Sequence, residues 1–127
     1  MVKCLILLLS FNLYASSEMA IQMIPNAKVY ELQGRDIILK TLSGTKVRVE
    51  FQRNGELEEA KGMNLNRGDE FEPGDGLISL GTAAKHLGKR GISPEGNWRL
   101  SKDKEFGWIY EFGKNLVNAK SGDVLSQ

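Results

Sequence analysis

From Lys46 to Phe51 the chain alternates: Val47, Val49 and Phe51 fall between Lys46, Arg48 and Glu50. A period of two sends successive side chains to opposite faces of a strand, so this segment lays one face on a core and turns a charged face to water. Strand signals surround it. Val29-Tyr30-Glu31-Leu32 and Asp36–Leu42 are separated by the turn Gln33-Gly34-Arg35, and Ser43-Gly44 leads into the alternating strand. Asn54-Gly55 is the favoured pair for a two-residue hairpin turn. Glu56-Leu57-Glu58-Glu59-Ala60 then reads as a returning edge strand, with charges that discourage sheet-to-sheet aggregation.

Residues 62–76 are rich in glycine and lack an apolar period, which predicts a loop between two halves. The period then changes. Leu80, Ala83, Ala84 and Leu87 stand at i, i+3, i+4 and i+7, one face of a helix. Ser79 is placed as its N-cap, and Gly88 or Gly91 as its stop. Gly81 is an unfavourable residue inside it. Short strands follow at Trp98–Ser101, Gly107–Phe112, Leu116–Ala119 and Val124-Leu125. Trp98, Trp108, Tyr110 and Phe112 are expected in the core beneath the helix. The reading is α+β: a strand-rich first half over 28–61, the loop, then one short helix with strands over 77–125. The two halves show no convincing sequence repeat.

The first residues set the expected address. Met1-Val2-Lys3 is a short basic start, Cys4–Tyr14 an apolar run, and Ala15-Ser16-Ser17 a small-residue exit. That order is the pattern of a secretory signal peptide over 1–17, and the run is shorter than the ~20 apolar residues of a membrane span. The expected product is one domain over 18–127, periplasmic or secreted, with residues 21–28 as a lead-in. Cleavage would remove Cys4, the only cysteine, leaving no disulfide or thiolate chemistry. The whole chain carries a net charge of +1, and loss of Lys3 brings it near neutrality, so bulk charge gives no argument for nucleic acid or an anionic membrane.

Charge is nevertheless uneven. Glu50, Glu56, Glu58, Glu59, Asp69, Glu70, Glu72 and Asp75 make the middle acidic, while Lys85, Lys89, Arg90, Arg99, Lys102 and Lys104 make the later part basic. Such faces can steer a protein partner. The candidate contact residues are Glu56 and Glu58 on the expected edge strand, and Lys85, Lys89, Arg90, Arg99 and Lys102 on the basic stretch. Catalytic chemistry finds few residues. His86 is the only histidine and falls at the border of the helix's apolar face, and zinc sites draw on several His or Cys ligands. The segment 66–76 offers Asp69, Glu70, Glu72 and Asp75 as oxygen ligands for Ca²⁺, though not at EF-hand spacing. No phosphate-cradling glycine motif follows a strand. No cofactor is expected.

Residues 77–125 resemble a PepSY domain. The residues carrying the resemblance are the small-residue helix Ile78-Ser79-Leu80-Gly81-Thr82-Ala83-Ala84, the strand Trp108-Ile109-Tyr110-Glu111-Phe112, and the ending Asn118-Ala119-Lys120-Ser121-Gly122-Asp123-Val124-Leu125. The family's ending is Asp-Ala-x-Thr-Gly-x-Val/Ile-Leu; Asn118 and Ser121 stand where it has Asp and Thr. The strand-rich stretch Val47–Ala60 is also similar to strands of exported PepSY-like proteins. The resemblance implies a helix packed on an antiparallel sheet. It further implies a non-enzymatic role, binding or modulating a secreted peptidase or another envelope protein, with no shared catalytic residues. The alternatives are a small periplasmic protein that binds a ligand or metal through loop 66–76, and a small envelope enzyme.

Overall fold

The computed structural model describes residues 16–63, 70–94 and 96–125. Among these residues it is an α+β fold: a seven-stranded antiparallel sheet with two helices. A helix, α1, spans 16–23. Four strands follow: β1 (Lys28–Gln33), β2 (Asp36–Lys40), β3 (Lys46–Phe51) and β4 (Leu57–Met63). The second helix, α2 (Leu80–Gly88), leads to β5 (Asn97–Asp103), β6 (Gly107–Phe112) and β7 (Asn115–Asn118). The sheet order is the chain order, β1 to β7, every neighbouring pair antiparallel. Each half therefore repeats one plan, a helix followed by a meander, although no sequence repeat announces it.

Alternation along the strands builds the core. Ile37 and Leu39 of β2, Val47, Val49 and Phe51 of β3, Ala60 of β4, Trp98 and Leu100 of β5, Tyr110 and Phe112 of β6 and Val117 of β7 are buried in one cluster. The same cluster contains Ala20 and Met23 of α1, Ile24 and Ala27 just beyond it, and Leu80, Ala83 and Leu87 of α2. Both helices thus cover the same face of the sheet. Trp108 is half-buried and packs against the cluster's margin.

The cap of α2 follows the expectation. Ser79 accepts from the Thr82 amide at 3.2 Å, the helix ends at Gly88, and Gly91 takes a left-handed φ of 76°. The unfavourable Gly81 has a local cause. Glu70 Oε1 accepts from the Gly81 amide at 2.8 Å and from its neighbour Phe71 at 2.9 Å. This seats a carboxylate at the positive end of the helix, whose first turn carries no acid of its own. A Cβ at Gly81 would lie 2.5 Å from Glu70 Oε2.

Four expectations are corrected. Residues 21–28 are not a lead-in: α1 reaches residue 23, and Met23, Ile24 and Ala27 are buried. The 62–76 loop begins later, because β4 runs through Gly62 and Met63. Gly62 is required there: Trp98 lies across it, and a Cβ would stand 2.9–3.0 Å from the indole. The Asn54-Gly55 turn is wider than two residues. It is a loop over 52–56, closed by the Gln52 amide donating to Glu56 at 2.8 Å, with a β-bulge beside it. Val124 forms an isolated bridge to Val117 rather than a strand.

Candidate functional site

The β4 strand is the middle of the sheet, paired with β3 on one side and β5 on the other. It is therefore not an edge, and its main chain has no room for an added peptide strand. The expectation of an edge at Glu56–Ala60 fails because charged residues at alternate positions suit a central strand just as well when one face is uncovered. The edges are β1 and β7.

With both helices on one face, the other remains open among the described residues. The register arranges its side chains in rows that run across the strands. Arg48, Lys61, Arg99 and Glu111 form one row, flanked by Ile38 and Leu116. Asp36, Glu50, Glu59 and Ser101 form the next. On the other side of the basic row, Met63 faces Asn97, and Lys40 faces Lys46. The surface is charge-striped, basic beside acidic, one pleat apart. Ile38 and Ile109 lie buried on this face.

Ion pairs stitch the stripes together. Arg48 donates to Asp36 at 2.9 Å and to Gln33 at 3.0 Å. Arg99 lies 3.0 Å from Glu59 and 3.9 Å from Glu111. Lys61 lies between Glu50 and Glu59, at 3.7 and 3.8 Å. Lys46 sits 4.2 Å over the ring of Tyr30, the extra residue at the β1 bulge. All these groups are partly exposed, so each pair contributes only ~0–1 kcal/mol, and their effect is to hold the cations in position. Partial burial raises the Glu50 carboxyl above its usual range, the charges of Asp36 and Glu59 push further, and Lys61 opposes them.

A groove of about 710 Å³ opens on this face. Lys46, Arg48, Lys61 and Arg99 line it, with Glu111 as its carboxylate and Ile38 and Met63 as apolar contacts. Four cations and one acid line it, and Asp36, Glu50 and Glu59 in the neighbouring row pair with three of those cations, which leaves Lys46 as the lining cation with no salt bridge among the described residues.

The expected contact residues are dispersed. Arg99 lies in the groove. Lys85 is on α2, with Lys89 and Arg90 just past its end, on the covered side of the sheet. Lys102 alternates with Trp98 and Leu100 and so belongs to that side as well. Glu56 is in the loop before β4, and Glu58 is the extra residue at the β3–β4 bulge. The basic stretch 85–104 is therefore not one surface. Sequence reading missed Lys46, Arg48, Lys61 and Glu111, whose signal was the outward half of the alternation in β3, β4 and β6.

The acidic segment acts differently from a cation loop where it is described. Glu70 accepts from the Gly81 amide of α2 and from the Phe71 amide, Phe71 is buried 5.2 Å from Trp98 between ring centroids, and residues 66–69 lie outside the described residues. Among the described residues no three of His, Cys, Asp and Glu are grouped to share a metal ion. His86 packs against Gly122, where a Cβ would come within 2.5 Å of Nε2. Tyr110 is buried and donates to the Ile78 carbonyl at 2.7 Å; burial, then the charge of Glu70, push its phenol far above the usual range. No helix among the described residues is long and apolar enough to cross a membrane. The expected signal peptide falls almost wholly on residues 1–15, outside the described residues.

Comparison with protein-family models, with curated proteins and with solved structures finds no match to the chain.

Proposed function

We propose that this chain is an exported, PepSY-like protein-binding module that acts by recognition without turnover, engaging an envelope or secreted protein such as a peptidase. The observation that carries the reading is the uncovered sheet face. Among the described residues helices occupy one side only, and the other presents a broad groove framed by positioned charges. A protein surface of this kind, polar and charge-patterned over a rigid sheet, favours specific and salt-sensitive association.

Two details support recognition over catalysis. His86 is tucked against Gly122, away from the groove, and the Glu70 carboxylate is occupied at the helix terminus. The PepSY resemblance of residues 77–125 adds the expectation of an envelope partner. The test is affinity capture of the tagged chain from an envelope extract, read by mass spectrometry. A specific protein retained at low salt and released at high salt supports the reading. Capture of nothing specific at any salt concentration refutes it.

A further inference from the structure

We propose that the groove on the open face receives an acidic protein segment with an apolar anchor: carboxylates against Lys46 and Lys61, and an apolar side chain against Met63. This deepens the binding reading above and rests on it. The four lining cations are not equivalent. Arg48 and Arg99 are fixed by contacts of 2.9–3.0 Å to Asp36, Gln33 and Glu59. Lys61 stands 3.7 and 3.8 Å from its carboxylates, beyond hydrogen-bond distance. Lys46 forms no salt bridge among the described residues and rests on the Tyr30 ring. Two ammonium groups therefore keep donors for an incoming carboxylate, while the two guanidinium groups are committed to carboxylates of the sheet itself. Met63 is 64% exposed and adjoins them, an adaptable apolar surface at the groove wall.

The stripes select protein over polyanion. Asp36, Glu50 and Glu59 lie one pleat from the basic row, ~7 Å along the strands and within the ~8 Å screening length of physiological salt. A continuous phosphate backbone laid on this face would meet that acidic row as well. A short cluster of carboxylates on a protein segment meets only the basic one.

The test pans random displayed peptides on the immobilised full chain and measures the recovered peptides by fluorescence anisotropy. The expected winners are acidic with at least one large apolar residue. Lys46→Glu and Lys61→Glu should each weaken them about tenfold or more. Lys46→Ala serves as a milder second variant, and thermal melts verify that all three remain folded. Neutral or basic winners, or binding unchanged in folded variants, overturn the proposal. So does a single-stranded oligonucleotide that binds as tightly as the peptides. Recovery of no peptide also overturns it, while the capture experiment judges the binding module independently.

Discussion

Glu70 and Gly81 form a pair that neither residue type explains alone. Glycine in a helix loses to alanine by ~0.5–1 kcal/mol, so Gly81→Ala would ordinarily stabilise α2. Here the added Cβ would lie 2.5 Å from Glu70 Oε2, a carboxylate held by two amide hydrogen bonds. Displacing it forfeits a charge-assisted cap worth ~1–2 kcal/mol. Gly81→Ala should therefore destabilise the protein in its native background and stabilise it once Glu70→Ala has removed the carboxylate. Urea unfolding of the four members of that cycle measures the coupling, expected at ~0.5–3 kcal/mol. Additive effects would show that the carboxylate yields freely. Gly62 and Trp98 form a similar pair, a missing side chain that leaves space for an indole. From sequence, Gly81 reads only as a weak point in a helix, because its partner stands 11 residues away across a segment without periodicity.

At the scale of elements, what the sequence makes legible depends on whether period or pairing decides the outcome. The α2 face Leu80, Ala83 and Leu87, the Ser79 cap and the alternation of β3 are local patterns, and the structure keeps them. The α1 helix had a partial signal: Ala20 and Met23 stand three apart and are buried, Ile24 and Ala27 are buried just beyond the helix, and Pro25 follows its end. The apolar leader running into it hides that signal. The position of β4 carries no local signal, because edge and centre differ in partners rather than in pattern. The same reasoning explains the groove: Arg48, Lys61 and Arg99 are far apart in sequence and meet only through strand order. The α1 segment also makes a firm prediction. Burial of Met23 and Ile24 alone is worth ~3–6 kcal/mol, a large share of the ~5–15 kcal/mol that holds a small domain. The Met23 carbonyl also accepts from the Glu72 amide at 2.7 Å. A chain starting at Lys28 should lose cooperative unfolding, whereas one starting at residue 16 should retain it. Circular dichroism melts of the two distinguish the outcomes, and equal melts would show that α1 contributes little.

For the whole molecule, placing both helices on one face has an electrostatic consequence for the other. The open face gathers Asp36, Glu50 and Glu59 into one row, and partial burial and the two neighbouring acids raise the Glu50 carboxyl above its ordinary 4.5. A carboxyl that is raised on folding binds its proton more tightly in the native state than in the unfolded chain. Through the window between 4.5 and the raised value, the native state holds more protons, so stability falls as pH rises. Above that window the cost of ionised Glu50 is fully present, and below 4.5 it is gone. Glu50→Gln removes the charge while keeping the shape. It should raise unfolding free energy near neutral pH, by a modest amount because the site is part-exposed and Lys61 opposes the shift. The gain should shrink to nothing as pH falls through the window. Urea unfolding of both proteins across that range checks the sign. A variant less stable than the native chain at neutral pH would mean that the Lys61 attraction outweighs burial and repulsion together. The acidic row would then be a net stabilising partner of the basic one, and the groove's cations would be less open to a ligand than their distances indicate.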